Sequence, residues 1–274
     1  MMISQSRRSF LGLVAAALPA ARLDDFPLVD YHVHLNPFFT LADAVALSQK
    51  TNVKFGIAEH AGVKENQYPT ILSNDAELHG WVEKLAGQPA FKGIQAEWTD
   101  WMGCFSKQAL GEIDYVLSDA MTIPDGKGHR VKMWGRGFDP GDAGEFMERY
   151  VRWNVEVIEK EPLDIFAHPT WLPAPLDQRA AELWTEARTE PIIQALRRTG
   201  TAVEIDSAYN LPSPAFLRMA KDAHLKFSFG SNSGSGPARA IDFCIAQARS
   251  LGLTPADMFV PAKRNRKPFM RRKV

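Results

Sequence analysis

Short apolar segments alternate with amphipathic segments along most of the chain. Seven segments are rich in β-branched and aromatic residues, which is typical of buried strands; they are Leu28–His32, Val53–Ala58, Phe91–Ala96, Ile113–Leu117, Leu163–Ala167, Thr201–Ile205 and Leu225–Phe229. The segments between and after them have apolar residues at helical spacing: Leu41–Gln49, Asp75–Ala86, a short piece near Ser106–Leu110, Asp142–Glu159, Gln178–Arg198, Pro214–Ala223 and Pro237–Leu251.

The order of these elements predicts the fold class. Repeated strand-then-helix units imply parallel strands joined by right-handed crossovers. The first strand is not followed by the G-x-G-x-x-G pattern of open dinucleotide-binding sheets. We therefore expect an α/β fold with a closed or nearly closed (β/α) barrel, in a single domain without internal repeats or a linker.

The two ends of the chain differ in composition from its body. Arg7 and Arg8 precede the apolar run Leu11–Leu18 and small residues, as in a secretory signal, and the paired arginines resemble a twin-arginine signal. An ordinary secretory signal or an uncleaved anchor is the alternative. We expect residues 1–21 to be an export signal, 22–262 the barrel domain and 263–274 a basic tail, and therefore a periplasmic or cell-envelope location. The apolar run is too short for a stable membrane span.

Charge argues against a nucleic-acid-binding barrel. The chain has 32 basic and 32 acidic residues, and its last twelve residues carry seven of the basic ones and no acid. The remainder is therefore acidic, whereas phosphate backbones require a basic face. The tail is a solvated end or, alternatively, binds nucleic acid or acidic lipid. Cys104 and Cys244 are the two cysteines, so no thiolate zinc motif is present.

Ionisable residues recur at the carboxyl ends of the predicted strands. In strand order they are Asp30, His32 and His34; Glu59 and His60; Glu97; Asp119; His168; and Asp206, with Asn232 after the seventh strand. In (β/α) barrels these ends form one mouth, where catalytic groups gather.

The H-x-H pair indicates a metal. Residues two apart on a strand share a face, so His32 and His34 point the same way. Two neutral imidazoles aimed at one point suit a divalent cation. Each group also has a structural alternative, since a single histidine can be a hydrogen-bonded core residue and Glu97 can cap a helix. Together they favour metal binding.

Four tryptophans also follow predicted strand ends: Trp98, Trp101, Trp134 and Trp171. Aromatic rims suit stacking on sugar or aromatic ligands. Packing beneath long loops is the alternative role. The rim favours a small organic substrate, larger than phosphate alone.

These motifs resemble the PHP (polymerase and histidinol phosphatase) family over nearly the whole chain after the signal. The resemblance depends on D-Y-H-V-H, G-I-A-E-H-A, K-G-I-Q-A-E-W, I-D-Y-V-L-S-D, L-D-I-F-A-H-P and F-S-F-G-S-N-S-G. It implies a distorted seven-stranded (β/α) barrel that holds up to three Zn, Mn or Fe ions and hydrolyses phosphate esters.

The sequence also departs from the family pattern. Residues 36–40 lack the family's histidine, Met121 stands where the fourth strand delivers another, and the closing G-S-D-x-H has Asn232 and Gly234 in place of its Asp and His. The resemblance implies one metal held by His32, His34, Glu97 and Asn232. It implies a second held by Glu97 and His168, with Asp119 as a candidate ligand, and a third position, reduced to His60, that is empty. We therefore expect one or two divalent ions.

The resemblance implies phosphoester hydrolysis by metal-activated water. His60, His168 or Asp119 would then protonate the leaving group. Two alternatives remain open: a related hydrolase of C–N or C–O bonds, as in amidohydrolase barrels, and a degenerate barrel that binds metal or ligand without turnover.

Overall fold

The computed structural model of the protein describes residues 27–64, 68, 70–99, 101–127, 129–233, 240–263 and 268. Its strands are β1 (Val29–Val33), β2 (Lys54–Gly62), β3 (Phe91–Glu97), β4 (Tyr115–Ser118), β5 (Thr122–Pro124), β6 (Arg130–Lys132), β7 (Ile165–Phe166), β8 (Ala202–Asp206) and β9 (Phe227–Gly230). Seven of them form a closed barrel in the order β1-β2-β3-β4-β7-β8-β9, with parallel pairing throughout.

Helices lie between the barrel strands. They are α1 (Leu41–Thr51), α2 (Asp75–Lys84), α3 (Lys107–Leu110), α4 (Ala143–Lys160), α5 (Ala180–Leu183), α6 (Glu186–Thr199), α7 (Pro214–Asp222) and α8 (Asp242–Ser250). Short 3-10 turns cover Trp101–Cys104, Leu176–Arg179 and Pro255–Asp257. The predicted fold class, a single-domain seven-stranded (β/α) barrel, is confirmed.

Polar caps set the start of most helices. In six of them the side chain before the first turn accepts a backbone N–H that the helix itself leaves unpaired; these residues are Thr40, Asn74, Ser106, Asp142, Thr185 and Ser213. The caps fix where each helix begins after its strand, and so they fix the lengths of the loops at the barrel mouth.

The structure differs from the sequence prediction in two elements. The predicted helix Gln178–Arg198 is interrupted, because Trp184 leaves helical geometry and Thr185 caps a new helix. The antiparallel hairpin of β5 and β6 was not predicted. Of the predicted helix Pro237–Leu251, residues 237–239 lie outside the described part, and α8 begins at Asp242.

Two apolar clusters stabilise the barrel. The larger one joins the outer faces of the strands to the helices. The smaller one we call the floor cluster; it consists of Val29, Tyr31, Ala58, Tyr115, Leu117, Ile165, Ala167 and Ala202. Tyr115 donates a hydrogen bond to the Tyr31 carbonyl at 2.7 Å. A side chain at Gly56 or Gly93 would collide with the Tyr115 ring, so these glycines make room for it.

The predicted export signal at 1–21, and all of the predicted tail at 263–274 except residues 263 and 268, lie outside the described part of the chain. The proposed domain boundaries stay a prediction. None of the helices in the described residues has the length and apolar character needed to cross a bilayer.

Candidate metal centre

The ionisable residues lie where the strands end, and several lie inside the strands. Glu59 and His60 are within β2, which runs further than predicted, and Glu97 and Asp206 are the last residues of β3 and β8. Asp30 and His32 lie within β1, and the remaining ones follow a strand directly or after one residue: His34, Asp119, His168 and Asn232. The parallel strands therefore bring them to one end of the barrel.

One group of three side chains can hold a metal. Among the described residues, His32, His168 and Glu204 each offer one ligand atom, and these atoms all lie within 4.8 Å of one another. Glu204 Oε1 is 2.7 Å from His32 Nδ1, and Glu204 Oε2 accepts the His168 backbone N–H at 2.9 Å. All three residues are buried. A buried carboxylate between two imidazoles has the donor set that divalent transition metals prefer.

The strand geometry explains why Glu204 reaches this group. Ala202, Glu204 and Asp206 alternate along β8 with Val203 and Ile205, which pack in the larger apolar cluster. On the neighbouring strand β9, Gly230 pairs in register with Asp206 and has no side chain; a Cβ there would come within 2.1 Å of Glu204 Oε1. The absent side chain leaves the carboxylate free to face His32.

His34 has a buried ring nitrogen to which no described residue makes a hydrogen bond of good geometry. Its Nδ1 is 3.0 Å from the Ala58 carbonyl, which only accepts, so Nδ1 carries the proton. Its Nε2 is then a lone pair, buried and without a hydrogen-bond partner of good geometry among the residues described. Metal-ligating histidines typically donate their other N–H to a carbonyl in this way. His34 therefore fits a metal ligand.

Gln95 links His32 to Asp119. The Gln95 amide donates to Asp119 Oδ2 at 3.2 Å, which directs its Oε1 toward His32 Nε2 at 3.0 Å. With His32 Nδ1 donating to Glu204, His32 Nε2 and Gln95 Oε1 are two acceptors facing each other. Such a contact needs a proton or a metal ion on His32 Nε2.

His60 and Glu97 form a separate pair nearer the solvent. His60 Nδ1 is 2.7 Å from Glu97 Oε1, and the His60 side chain is 16% exposed. The His60 ring stacks on His34, with 4.7 Å between ring centroids, and on Tyr68 at 3.8 Å. The imidazoles of His168, His32, His34 and His60 thus form a continuous row across the mouth.

The mouth carries backbone strain at residues that are not glycine. Trp98, His168, Thr170 and Asn232 have φ values of 71°, 48°, 68° and 43°. L-residues rarely adopt this left-handed region, and when they do it is often at functional sites. Asn232 Nδ2 lies 3.2 Å from His168 Nε2, so the strained turns bring these two side chains together.

The histidines of the row differ in pKa, because different charges face each ring. Burial disfavours the charged form of His168, but Asp206 at 2.5 Å and Glu204 outweigh it and raise the His168 pKa to about 9. The His32 pKa is likewise raised, because Glu204 overcomes burial. Burial, together with His60 and His32, lowers the His34 pKa well below its usual value. His34 is therefore neutral at pH 7, as a metal ligand must be.

The structure brings some of the predicted site residues into or beside the group of His32, His168 and Glu204 and places the others outside it. It brings His32 and His168 into the three-residue group and places His34 beside them, within 5.1 Å of His32 between ring centroids. Glu97 pairs with His60 instead, Asn232 contacts His168, and Asp119 reaches His32 through Gln95.

The strand-end pattern in the sequence does not indicate Glu204 and Gln95. Both lie inside strands, at positions 204 and 95, rather than after them. The available signal was a charged or amide residue in an otherwise apolar strand, in phase with a strand-end acid two residues later: Asp206 for Glu204 and Glu97 for Gln95.

Of the four tryptophans predicted to form a rim, two pack against other residues and two line a cavity. Trp101 is fully buried and donates to Glu161 Oε2 at 2.8 Å, and Trp98 packs on Trp153. Trp134 and Trp171 line a cavity of about 530 Å³. This cavity lies beside the group of His32, His168 and Glu204, which we call the metal group.

The fold and site together define a closed seven-stranded parallel (β/α) barrel with a histidine–carboxylate cluster at its carboxyl end. Among solved structures, the chain is similar to histidinol phosphate phosphatase from Lactococcus lactis subsp. lactis Il1403, crystallised in complex with zinc, L-histidinol and phosphate. The TM-score is 0.61 at 12% identity, over 86% of this chain and 100% of that chain. This likeness shows a shared fold. No protein-family model matches the sequence, and no curated protein matches it significantly.

Proposed function

We propose that the protein is a metal-dependent hydrolase of phosphoesters and a divergent member of the PHP family. The observation that carries the proposal is the buried lone pair of His34 Nε2, next to the group of His32, His168 and Glu204. The fold, shared with a phosphatase whose structure holds zinc and phosphate, supports the reaction class.

We assign His32, His34, His168 and Glu204 to one or two divalent ions of Zn, Mn or Fe, with Gln95 Oε1 as a neutral oxygen donor. Glu97, Asn232 and Asp119 would orient these ligands, or would bind a second ion as the family resemblance implies. A bound ion would polarise the ester and acidify a water molecule. The oxygen and nitrogen donors suit such an ion, whereas soft thiolates are not required.

His60 is the residue to which we assign proton delivery. Among the four histidines of the row it is the one that is not buried, and Glu97 holds its Nδ1. Its remaining nitrogen is then free to pass a proton to the leaving oxygen. The Nδ1 of His168 faces Asp206, on the side of the ring away from Asn232, so the Asp206 carboxylate holds the proton there.

The test begins with elemental analysis of protein purified without added metal or chelator. We expect one or two Zn, Mn or Fe atoms per chain, and none in the double variant His32→Ala/His34→Ala. A matched control is His79→Ala/His129→Ala, which removes two exposed, ion-paired histidines and should keep the metal.

Activity is then measured with the metal found, on matched panels of phosphoesters, amides and lactones. Hydrolysis of phosphoesters that the double variant lacks supports the proposal. Turnover of amides or lactones alone would assign the chain to the amidohydrolase-like alternative. Tight metal binding with no turnover on any panel would identify a binding protein.

We further propose export, on the basis of the paired arginines and apolar run in residues 1–21. Fractionation of cells expressing the full chain tests this, with Arg7→Lys/Arg8→Lys as the variant. Cytoplasmic retention of this variant, with export of the unaltered chain, is the expected result; equal export of both would exclude the twin-arginine route.

A further inference from the structure

The cavity beside the metal group has the size of a small-molecule site. Its volume is about 530 Å³, within the range of pockets that bury drug-sized ligands. Its walls come from the turn after β6, the loop after β7 and the loop after β8, and include Trp134, Phe138, Trp171 and Tyr209. Three separate loops therefore converge on one aromatic space.

The cavity borders the metal group directly. Tyr209 lines the cavity, and its ring meets His168 edge-on, with 5.3 Å between centroids. Thr170 also lines it, two residues after His168. The cavity and the metal group are therefore neighbours, with the Tyr209 ring in contact with both.

Its aromatic walls are unusually open to solvent. The large hydrophobic residues that are exposed in the described part of the chain are Phe38, Trp134, Tyr209 and Val260. Trp134 and Tyr209, at 41% and 47% exposure, both face this cavity. Exposed apolar surface gathered in one concave place is typical of a binding site.

Thr170 adds a polar group whose hydrogen-bonding capacity is unused. It is 3% exposed, and its Oγ1 has no hydrogen-bond partner among the residues that the structure describes. Its backbone φ of 68° is rare for a β-branched residue. The Trp184 indole holds the loop by donating to the Thr170 carbonyl at 2.8 Å. A buried hydroxyl left unpaired in this way destabilises the protein unless a ligand or water satisfies it.

The composition of its lining disfavours the phosphate end of a substrate in the cavity. Among the described lining residues Asp177 is the one acid, and there is no lysine, arginine or histidine. An anionic group would be repelled there and would instead face the histidines of the metal group. The cavity therefore suits a neutral or cationic organic group.

We propose that this cavity binds the aromatic organic group of the substrate, a phosphomonoester whose ring carries a hydrogen-bonding substituent for Thr170. The inference rests on the proposed phosphoesterase function. It names the substrate class: an aryl-alkyl phosphate rather than a small aliphatic one. Trp134 and Tyr209 contact the ring, and Asp177 disfavours substrates with a second anionic group.

Calorimetric titration of the metal-loaded protein with two probes tests the ring contact. We expect 2-phenylethyl phosphate to bind at least about tenfold more tightly than ethyl phosphate, because a phenyl group is buried. Trp134→Ala should abolish that advantage and leave ethyl phosphate unaffected. Phe38→Ala, which removes an exposed aromatic ring outside the cavity lining, should keep the advantage. Equal affinities for the two probes, or an unaltered advantage in Trp134→Ala, would overturn the proposal.

A third probe tests the hydroxyl. We expect 2-(4-hydroxyphenyl)ethyl phosphate to bind about threefold more tightly than 2-phenylethyl phosphate, as one added hydrogen bond allows. Thr170→Val, which keeps the side-chain shape, should remove this difference and leave the phenyl probe unchanged. A threefold difference that survives in Thr170→Val would remove Thr170 from the site.

Binding of 2-phenylethanol separates this inference from the proposed function. If the alcohol binds and Trp134→Ala weakens it, but adding a phosphate gives no tighter binding, the cavity stands and the phosphoesterase proposal fails. If ethyl phosphate is bound and hydrolysed as well as 2-phenylethyl phosphate, the function stands and the cavity proposal fails.

Discussion

The floor and the mouth of the barrel interior are built by the same strands with opposite chemistry. Along β8, Ala202 belongs to the floor cluster, whereas Glu204 and Asp206 face the histidines. Along β2, Ala58 belongs to the floor and His60 to the mouth. Side chains two residues apart on a strand point to the same face, so a strand passes from the floor to the mouth between one inward-facing residue and the next.

This difference separates stability from chemistry. The floor pairs a large ring with glycines on neighbouring strands and contains no carboxylate, imidazole, lysine or arginine, so it contributes by burial. The mouth gathers imidazoles and carboxylates whose burial is unfavourable without partners or a metal. Substitutions in the floor should therefore affect folding, and substitutions in the mouth should affect metal binding.

The largest expected effect on stability comes from the floor. Tyr115→Ala should lower the free energy of unfolding by about 3–5 kcal/mol, because it leaves a cavity between Gly56 and Gly93. Urea unfolding measures this, and the folded fraction should keep its metal. Phe38→Ala, at an exposed position, is the control and should change stability by less than about 0.5 kcal/mol. Loss of metal with little loss of stability would contradict the separation.

In the mouth, His34→Leu should weaken metal binding by at least about a hundredfold, since it removes the unpaired nitrogen. The stability of the metal-free protein should fall by no more than about 1–3 kcal/mol, because the variant removes the Nδ1 hydrogen bond to the Ala58 carbonyl together with a buried Nε2 that has no partner among the described residues. Competition with a chromogenic chelator measures the affinity. His79→Leu, at an exposed histidine, serves as the control. Unchanged affinity in His34→Leu would exclude this residue as a ligand.

The metal-free protein should lose stability as the pH rises through the titration of His168. Its pKa is about 9 in the folded protein against 6.5 normally, so its contribution is fully present below pH 6.5 and is lost as pH rises through 9. The change should be on the order of 3 kcal/mol. Urea unfolding after chelation, across this pH range, measures it, and His168→Gln should flatten the profile. Stability that rises over this window would contradict the assigned ion pair with Asp206.

Gly230→Ala should produce the smallest of these effects, and it acts at the mouth. The added Cβ would collide with Glu204 Oε1, which is held by His32 and by the His168 N–H. We expect a loss of about 1–3 kcal/mol together with weaker metal binding. Gly80→Ala, where a Cβ meets nothing within 4 Å, should be neutral or stabilising. An unchanged metal affinity in Gly230→Ala would show that the Glu204 position is not critical.

The fold was more readable from the sequence than the site. Strand and helix periodicity is local, so the seven strands and most helices were predicted. Which mouth residues meet depends on the stagger between strands, which periodicity does not encode. β3 runs alongside β2 until Glu97 pairs in register with Gly62, so Glu97 reaches His60. Gln95, two residues earlier, is the β3 side chain that faces His32.

The misread elements have equally local causes. The break before α6 depends on a single cap, Thr185, inside a continuous amphipathic pattern. The β5–β6 hairpin has strands too short to show an alternation of their own. Glu204 lies within β8, whereas the pattern of ionisable residues in the sequence marks only positions at or after strand ends.

The hairpin has a consequence for how such a protein can diversify. β5 and β6 pair with each other and form a sheet of their own, and the turn that follows β6 carries Trp134 to the cavity wall. Substitutions on the cavity side of residues 129–138 can therefore alter which molecules the cavity admits, while the barrel strands and their histidines stay in place.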